Sequence, residues 1–334
     1  MNESRIKSAI KAFSKLKVLV IGDVILDAYY KGKVERVSPE APVPVLDIQS
    51  KEYRLGGAAN VALNVKDLGA QCIVCSVIGK DEAGERLKDL MQTEQLSLQG
   101  LEETSDRPTT VKTRLVSGFS QLLRMDEEVT RSLDEQEAKA LITRIAALIE
   151  RASPDAIIFE DYDKGCITPE LIAEVIKQAK QAGIPVTVDP KRRNFFAYAG
   201  VSLFKPNLKE LREGLNLPQL KTDRKSLIDA FKQLNERMPI DAAMFTLSEH
   251  GVFITDGDKS DHIPAVKRMI ADVSGAGDTV IATATCALAS GLDQAEIAYL
   301  SNLAGGWVCQ FPGVVSIKQD DLLAETSKVL SNGH

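Results

Sequence analysis

Short apolar segments alternate with helix-length amphipathic segments along most of the chain, and this alternation restricts the folds open to it. Helical patterns such as residues 82–93 and 169–182 separate the apolar runs. Repeated strand–helix units predict a mainly parallel sheet with helices on both faces. We therefore predict an α/β fold, with residues 1–334 in a single domain. The apolar runs of strand length cover residues 17–22, 71–78, 156–161, 185–189, 201–206, 242–247 and 251–255.

Two segments of a different character interrupt this alternation. Residues 29–54 contain three prolines and an alternating stretch, Val43 to Ile48, which suits edge strands. Residues 109–124 alternate polar and apolar side chains around a Ser-Gly turn, which is typical of an antiparallel hairpin. We predict that both segments form a small β-sheet outside the main one, as a lid over a binding site.

The predicted lid carries apolar side chains that a second copy of the chain could cover. These side chains are Val43, Val45, Leu115 and Phe119. We therefore predict a homodimer formed through the lid.

Charge and hydropathy exclude several classes of partner. The net charge of −6 and the pI of 5.4 argue against nucleic acid as the main partner. The N-terminal segment lacks the apolar centre of a signal peptide. The uncharged run from residue 279 to 292 is shorter than the ~20 residues of a membrane helix. We expect a cytoplasmic protein with no membrane partner.

Cys72 and Cys75 have the C-x-x-C spacing of some redox and zinc sites. They lie in the predicted strand over residues 71–78, where positions three apart point to opposite faces. We therefore interpret them as core cysteines.

The octapeptide from Asp272 to Thr279 is glycine-rich and precedes a charge-free segment of helix length. Residues 266–271 before it read as a short strand. Backbone N–H groups at such a helix start form a site for an anion such as phosphate. Asp278 lies among these N–H groups, and two roles are open to it: it caps the helix, or it takes a proton from a nucleophile that attacks phosphate.

Charged and polar residues follow the ends of the predicted strands, where ligands collect in sheets of this kind. Asp27 follows the first strand, Lys191 follows residues 185–189, and Lys205 follows residues 201–204. Asn207 and Glu210 are one helical turn apart, which fits either a capping box or a Mg²⁺ site that acts through water. Further polar or glycine positions are Gly56, Gly57, Asn60, Thr246 and Gly251.

These motifs resemble those of a known family. Gly56 to Asn60 and Asp272 to Thr279 resemble the two signatures of the ribokinase-like (PfkB) carbohydrate kinases, and Asn207-x-x-Glu210 resembles the magnesium-associated motif of that family. The resemblance extends from Lys17 to Lys318 and implies a ribokinase-like fold and a kinase that uses ATP and Mg²⁺.

Two further segments, residues 38–45 and 160–165, resemble one branch of that family. That branch phosphorylates the 1-hydroxyl of D-glycero-D-manno-heptose 7-phosphate on the route to ADP-heptose and the lipopolysaccharide core. No H-x-G-H motif of a fused nucleotidyltransferase follows, so we expect a stand-alone kinase. The alternative is another PfkB sugar or sugar-phosphate kinase, such as a 6-phosphofructokinase-like or ribokinase-like enzyme.

Other classes fit the sequence less well. A dinucleotide-dependent reductase would need G-x-G-x-x-G after the first strand, and this motif is absent. A sugar-binding regulator without activity would need a broken base or anion site, and both motifs are intact.

The resemblance implies a role for each motif position. Asp278 is the general base, and the amides of Gly275, Ala276 and Gly277 form the anion hole. Asn207 and Glu210 hold Mg²⁺, and Asp272, close to Gly313, is associated with a monovalent cation such as K⁺. The nucleotide lies near Lys191, Lys205, Asn207, Thr246, Ser248, Gly251, Gly277 and Asn302. The sugar is held by Asp27, Gly56, Gly57 and Asn60, and its 7-phosphate by cations among Arg36, Lys112, Arg114 and Lys164.

Overall fold

A computed structural model describes residues 2–118 and 120–332. Its strands are, in chain order, β1 (Lys17–Gly22), β2 (Val24–Val37), β3 (Pro44–Gly57), β4 (Gln71–Gly79), β5 (Leu101–Thr104), β6 (Val111–Ser117), β7 (Ser120–Glu127), β8 (Ala156–Glu160), β9 (Val186–Asp189), β10 (Leu203–Phe204), β11 (Ala243–Thr246), β12 (Val252–Thr255) and β13 (Ser260–Ile263). Its helices are α1 (Glu3–Ala12), α2 (Ala58–Asp67), α3 (Glu82–Thr93), α4 (Glu135–Ala152), α5 (Pro169–Ala182), α6 (Leu208–Leu215), α7 (Arg224–Arg237), α8 (Ala276–Ala289), α9 (Gln294–Val308) and α10 (Gln319–Asn332).

The central sheet confirms the predicted fold class. Within the described residues it has nine strands in the order β13-β12-β11-β10-β9-β8-β1-β4-β5, and the strands from β11 to β5 pair in parallel. All five residues of β8 are buried, as expected for a strand covered on both faces. One face packs against α1, α2, α8 and α9, and the other against α4, α5 and α7. The carboxyl ends of β1, β8, β9 and β10 therefore lie along one edge.

Local signals define the helices as the sequence suggests. In α5, the Thr168 side chain accepts a hydrogen bond from the Leu171 N–H, Pro169 occupies the first turn, and Gly183 adopts a left-handed conformation at the end. In α4, Ser132 and Glu135 have the spacing of a capping box in the sequence but do not form one. Asp134 and Glu137 form the capping box two residues later, because Ser132 and the buried Leu133 belong to the preceding loop.

A second sheet, in the order β3-β2-β6-β7, lies outside the central sheet and contains the segments predicted as the lid. We call it the lid sheet. Its strands β2 and β3 form a long antiparallel pair, and β7 is exposed along its whole length. Val43 is exposed, whereas Val45 and Leu115 are half-buried, and Phe119 lies outside the described residues. The homodimer remains a prediction.

The strand predicted over residues 266–271 is wrong, because this segment is irregular. The Arg268 side chain contacts α10, where its Nη2 lies 2.7 Å from Glu325 Oε1. Met269 is instead 91% exposed. The sheet ends in the short polar strand β13, which an apolar pattern does not reveal.

The cysteines lie as predicted on opposite faces of β4, Cys72 toward one core and Cys75 in the other, and both are free thiols. Among residues 2–118 and 120–332, no group of three or more His, Cys, Asp or Glu side chains is arranged to hold a metal ion. In the same part of the chain, none of the helices has the length and apolar character needed to span a membrane.

Candidate active site

Helix α8 begins above the carboxyl edge of the central sheet. Gly275 precedes it in a left-handed conformation, with φ of 77°. A Cβ at Gly275 would lie 2.9 Å from Val314 Cγ1 and 3.2 Å from Asn60 Nδ2, so glycine allows the close approach of α2 and α8. Gly277 is exposed two residues further on, beside Asp189 and Lys205. The backbone N–H groups of Gly275, Ala276 and Gly277 belong to this first turn, a position that favours an anion, and the Ala276 N–H also donates to the Val273 carbonyl at 3.3 Å.

Asp278 is 6% exposed, and two side chains from distant parts of the chain hold its carboxylate. Asn60 Nδ2 donates to Oδ2 at 2.5 Å, and the Tyr162 hydroxyl donates to Oδ1 at 2.9 Å. Burial raises the pKa of Asp278 to about 6, with a further rise from Asp189 and opposition from the two hydrogen bonds. The carboxylate thus faces other elements of the fold, and it ionises close to neutral pH.

Further charged residues lie beneath Asp278 along the edge of the sheet. Lys205 Nζ is 2.8 Å from Asp189 Oδ2, and Lys191 Nζ is 2.6 Å from Glu210 Oε1. Glu160 lies opposite Asp189 in the β8–β9 pairing and is fully buried, with neither carboxyl oxygen hydrogen-bonded. Burial raises the pKa of Glu160 well above its ordinary value, and Asp189 and Asp278 add to this rise. We call Asp278, Asp189, Glu160, Lys191, Lys205 and Glu210 the edge cluster.

The two lysines of the edge cluster remain charged. Burial opposes the ammonium form of Lys205, which is 2% exposed, but Asp189 and Glu210 raise its pKa above the ordinary value. The same balance raises the pKa of Lys191. Two fixed positive charges therefore lie along this edge, where they could neutralise phosphate, and that of Lys205 lies next to the exposed Gly277.

Asn207 and Glu210 form a capping box at the start of α6. The Glu210 N–H donates to Asn207 Oδ1 at 2.9 Å, and the Asn207 N–H donates to Glu210 Oε2 at 2.8 Å. Capping uses one lone pair of each oxygen, and a carboxylate retains further lone pairs that can accept from metal-bound water. The two residues fit a Mg²⁺ ion held through water and ATP phosphates, and they do not form a direct cage.

The remaining residues predicted for the nucleotide lie around the same edge. Thr246 ends β11 and forms a bridge with Asn207. Ser248 and Gly251 both have positive φ, and a Cβ at Gly251 would lie 2.1 Å from the Ile263 carbonyl oxygen. The Asn302 side chain donates to the Pro264 carbonyl at 2.9 Å, which ties α9 to the loop before α8.

The residues predicted for the sugar meet where the lid sheet joins the central sheet. A Cβ at Gly56 would lie 2.4 Å from Asp27 Oδ2, and Gly57, with φ of 58°, would place one 2.2 Å from the Asp23 carbonyl. Both glycines are therefore required by close packing. Asp27 Oδ1 accepts from Arg114 Nη1 at 2.5 Å.

Two of the cations predicted for the 7-phosphate lie beside one carboxylate. Lys164 Nζ is 2.8 Å from Glu128 Oε1, and Lys112 Nζ is 3.3 Å from Glu128 Oε2. Lys112 also approaches Asp126 at 3.2 Å. Burial acts to raise the pKa of Glu128, but the two lysines outweigh it and hold the pKa below its ordinary value. We call Asp27, Arg114, Lys112, Asp126, Glu128 and Lys164 the lid cluster.

Arg36 does not join the lid cluster. It is exposed near the far end of β2, nine positions after Asp27, which at strand geometry is about 30 Å away. Charge alone does not distinguish Arg36 from Lys112 and Arg114 in the sequence. Lys112 and Arg114 are two positions apart on β6 and therefore lie on the same face of the strand.

Asp272 ties together two loops. Its Oδ1 accepts from the Ser274 N–H at 2.9 Å, and its Oδ2 accepts from the Gly313 N–H at 3.0 Å. Partial burial acts to raise the pKa of Asp272, but these hydrogen bonds outweigh it and hold the pKa below its ordinary value. A persistent carboxylate is an oxygen donor that fits a monovalent cation. The Arg54 guanidinium packs against Gly313 and brings a fixed positive charge to the same region.

Tyr162 and Asp23 were missed as site residues. Asp23 is buried and accepts hydrogen bonds from the backbone N–H groups of Tyr162, Lys164 and Cys166, at 2.9 to 3.1 Å. It thereby fixes the loop that carries both Tyr162 and Lys164. The sequence feature that points to Tyr162 is the polar cluster at the end of the strand over residues 156–161. Tyr162 is the one uncharged residue between charged neighbours there.

Comparison with known proteins identifies the family and the fold. The profile of the pfkB family carbohydrate kinases matches residues 15–321. The bifunctional protein HldE of Methylobacillus flagellatus is 41% identical over 308 residues, which is 92% of this chain and 62% of the relative. HldE of Rhodospirillum rubrum is 37% identical over 316 residues, 94% of this chain and 63% of the relative. The chain thus spans less than two thirds of the length of these relatives.

Solved structures share the fold at low sequence identity. Phosphofructokinase-2 from Escherichia coli, in complex with potassium, aligns with a TM-score of 0.76 at 18% identity, over 94% of this chain and 99% of that one. Arabidopsis thaliana ribokinase, complexed with ribose and ATP, aligns with a TM-score of 0.71 at 15% identity, over 93% and 98%. The fold is therefore ribokinase-like. The chain belongs to the pfkB family of carbohydrate kinases and is a sugar kinase, a phosphotransferase with an alcohol group as acceptor.

Proposed function

We propose that the chain transfers the γ-phosphoryl group of ATP to the 1-hydroxyl of D-glycero-D-manno-heptose 7-phosphate and forms the 1,7-bisphosphate, on the route to ADP-heptose. The observation that carries the phosphoryl transfer is the buried Asp278 carboxylate at the amide-rich start of α8, held by Asn60 and Tyr162. The choice of acceptor rests on the resemblance of residues 38–45 and 160–165 to heptose 7-phosphate kinases, and on the cations of the lid cluster.

In the proposed reaction Asp278 is the general base. The acceptor hydroxyl gives its proton to the ionised carboxylate while its oxygen forms a bond to the γ-phosphorus. The bond between the γ-phosphorus and the β,γ-bridging oxygen breaks, and ADP leaves with that electron pair. The amides of Gly275, Ala276 and Gly277 donate to the phosphoryl oxygens as charge develops, and removal of one such donor typically costs about 10²- to 10³-fold in kcat.

Asn207 and Glu210 would hold a Mg²⁺ ion through water, and Lys191 and Lys205 lie along the same edge, paired with Glu210 and Asp189. When bound, Mg²⁺ supplies positive charge to the phosphate oxygens of ATP. Asp272, which already ties the loops at Ser274 and Gly313, would offer a carboxylate oxygen to a monovalent cation such as K⁺. Initial rates measured in KCl and in tetramethylammonium chloride test for this cation site. Equal rates in the two salts would exclude a role for K⁺.

The lid cluster binds the acceptor. Asp27 accepts hydrogen bonds from sugar hydroxyls, and Gly56, Gly57 and Asn60 form the surface beside it. The ammonium groups of Lys112 and Lys164 bind the 7-phosphate, which replaces Glu128 as their partner. Arg114 stays with Asp27 and orients its carboxylate, at 2.5 Å. This arrangement favours acceptors that carry both a ring and a distant dianion.

One panel of acceptors tests the proposal. ATP consumption is measured with heptose 7-phosphate, fructose 6-phosphate, ribose and adenosine at equal concentrations. We expect the highest kcat/KM with heptose 7-phosphate. A higher value with fructose 6-phosphate or ribose would assign the chain to another branch of the family.

We also propose that two chains associate through their lid sheets. Val37, Val43 and Leu123 are 51% to 63% exposed on this sheet. Exposed apolar side chains on an extended sheet favour a partner that covers them. Light scattering should give twice the chain mass, and a monomeric mass would refute this association.

A further inference from the structure

We propose that Tyr162 is the positioning residue for Asp278 and keeps its carboxylate ionised and aimed at the acceptor hydroxyl. This inference rests on the proposed role of Asp278 as general base. The observation that carries it is the hydrogen bond from the Tyr162 hydroxyl to Asp278 Oδ1, at 2.9 Å across 116 positions of sequence. The two family signatures, residues 56–60 and 272–279, do not contain this residue, which lies in the segment 160–165 that resembles one branch of the family.

Tyr162 is held in place from two sides. Its own backbone N–H donates to Asp23 Oδ2 at 3.0 Å, and the following N–H groups of Lys164 and Cys166 donate to the same carboxylate. The Lys191 ammonium lies 5.4 Å from the centre of the Tyr162 ring. The hydroxyl therefore reaches Asp278 from a loop that is fixed at its backbone and at its ring.

The two donors to Asp278 use different oxygens. Asn60 donates to Oδ2 and Tyr162 to Oδ1, so together they fix the plane of the carboxylate. Burial first, and then the nearby Asp278, raise the pKa of Tyr162 well above its ordinary value, so its hydroxyl stays a donor. A donor that stays protonated stabilises the ionised form of its acceptor at every pH at which the enzyme works.

The surroundings of Asp278 oppose that ionised form, which is why the donors matter. The titratable groups that face it are Glu160 at the end of β8, Tyr162 in the next loop, Asp189 at the end of β9 and Lys205 after β10. Glu160 and Asp189 disfavour a further negative charge, and Lys205 favours it. Removal of the Tyr162 hydroxyl therefore raises the pKa of Asp278, and the base becomes active only at higher pH.

The test compares the wild type with Tyr162→Phe and Tyr198→Phe. Tyr198 is a matched control, because its buried hydroxyl also donates to a buried aspartate, Asp161, at 2.9 Å and does not contact Asp278. The kcat/KM for the sugar acceptor is measured from pH 5 to pH 9 with saturating ATP. Substrate phosphates titrate in the same range, but they are identical for all variants, so differences between profiles come from the protein.

We expect the acid limb of the Tyr162→Phe profile to move up by about one pH unit, since a hydrogen bond to a charged group has roughly that effect. The loss is then about fivefold larger at pH 6 than at pH 8, because the wild-type base is about half ionised at pH 6. The acid limb of Tyr198→Phe stays with that of the wild type. An unmoved limb in Tyr162→Phe, or an equal shift in Tyr198→Phe, would overturn the inference.

Two additions keep the outcome interpretable. If Tyr162→Phe does not fold, 3-fluorotyrosine at position 162 replaces it; this stronger donor should move the limb to lower pH, and a limb that stays in place would also refute the inference. Asp278→Asn tests the role of Asp278 as base separately from the role of Tyr162. Full activity of Asp278→Asn would contradict the proposed base itself, whereas an inactive Asp278→Asn with an unmoved limb in Tyr162→Phe contradicts only the role of Tyr162.

Discussion

The edge cluster and the lid cluster contain the same residue types, yet their surroundings differ. Lys205 and Asp278 are 2% and 6% exposed, and burial governs the pKa of Glu160 and Asp278. In the lid cluster the paired side chains of Lys112, Lys164 and Glu128 keep 14% to 21% of their surface exposed. Solvent screens Lys112, Lys164 and Glu128, whereas Lys205, Glu160 and Asp278 act on one another at low dielectric. Two residues depart from this division: Lys191 of the edge cluster has 29% of its side chain exposed, and Asp27 of the lid cluster is buried. The comparison suggests that the edge cluster supplies chemistry and the lid cluster supplies recognition.

The largest effect is expected from Asp278→Asn. The amide keeps the size and one acceptor of the carboxylate, but it cannot take a proton. We expect kcat to fall by about 10²- to 10⁴-fold, with a change in KM for the sugar of less than a factor of about three. Steady-state kinetics at pH 8 measure both constants. A large rise in KM with an unchanged kcat would reverse the assigned division between chemistry and recognition.

Lys205→Met tests the cost of the buried charges at the edge. It leaves the buried Asp189 without its 2.8 Å partner and with Lys191 at 3.7 Å as the nearest remaining cation in the edge cluster. We expect a loss of about 3 kcal/mol in the free energy of unfolding, measured in urea. Lys177→Met is the matched control, because Lys177 has an ion pair with Glu174 on the surface, with 63% of the lysine side chain exposed. Its loss should stay below about 0.5 kcal/mol, and equal losses would contradict the comparison.

The pH dependence of stability distinguishes Asp278 from an exposed carboxylate. Its folded pKa of about 6 is above the ordinary value of 3.8, so the stabilisation by the protonated form is complete below pH 4 and is lost as the pH rises through 6. Asp278→Asn has no such loss. The unfolding free energy of Asp278→Asn, relative to wild type, should therefore rise by about 2 kcal/mol between pH 4 and pH 7. A constant difference would contradict the raised pKa.

Lys164→Met should have the smallest effect of the four. One cation of two is lost from the proposed phosphate subsite, so we expect KM for a phosphorylated acceptor to rise about tenfold with kcat little changed. Lys31→Met is the control on the same sheet, because the Lys31 side chain is 47% exposed and pairs with Glu52, which lies outside the lid cluster. A fall in kcat of Lys164→Met without a change in KM would indicate that Lys164 acts in phosphoryl transfer and not in binding of the acceptor.

The sequence predicted the edge cluster better than the lid cluster. Apolar runs mark the buried strands, and a polar residue that follows such a run must lie at a strand end, so Lys191, Lys205 and Asn207 could be located. The lid strands alternate and carry many charges, and a period of two does not reveal how far along the strand a site lies. For this reason Arg36 and Lys112 looked equivalent, although the lid separates them.

Pairings across long stretches of sequence could not be predicted. The contacts of Glu128 with Lys112 and Lys164, and of Tyr162 with Asp278, depend on how separate loops pack. The error at residues 266–271 has the same origin, because the Arg268–Glu325 ion pair and not local propensity determines the path of that segment. The unpartnered Glu160 is likewise visible only once β8 and β9 are paired.

The two donors to Asp278 also have a consequence for how the chain folds. Asn60 and Tyr162 are 218 and 116 positions away from Asp278 in sequence. Contacts of such long range form late, because the loops between them must close first. During synthesis, the first half of the chain can bury its strands long before Asp278 has been made. The proposed catalytic base is therefore completed only at a late stage of folding, and we expect that a partly folded chain cannot consume ATP through this site.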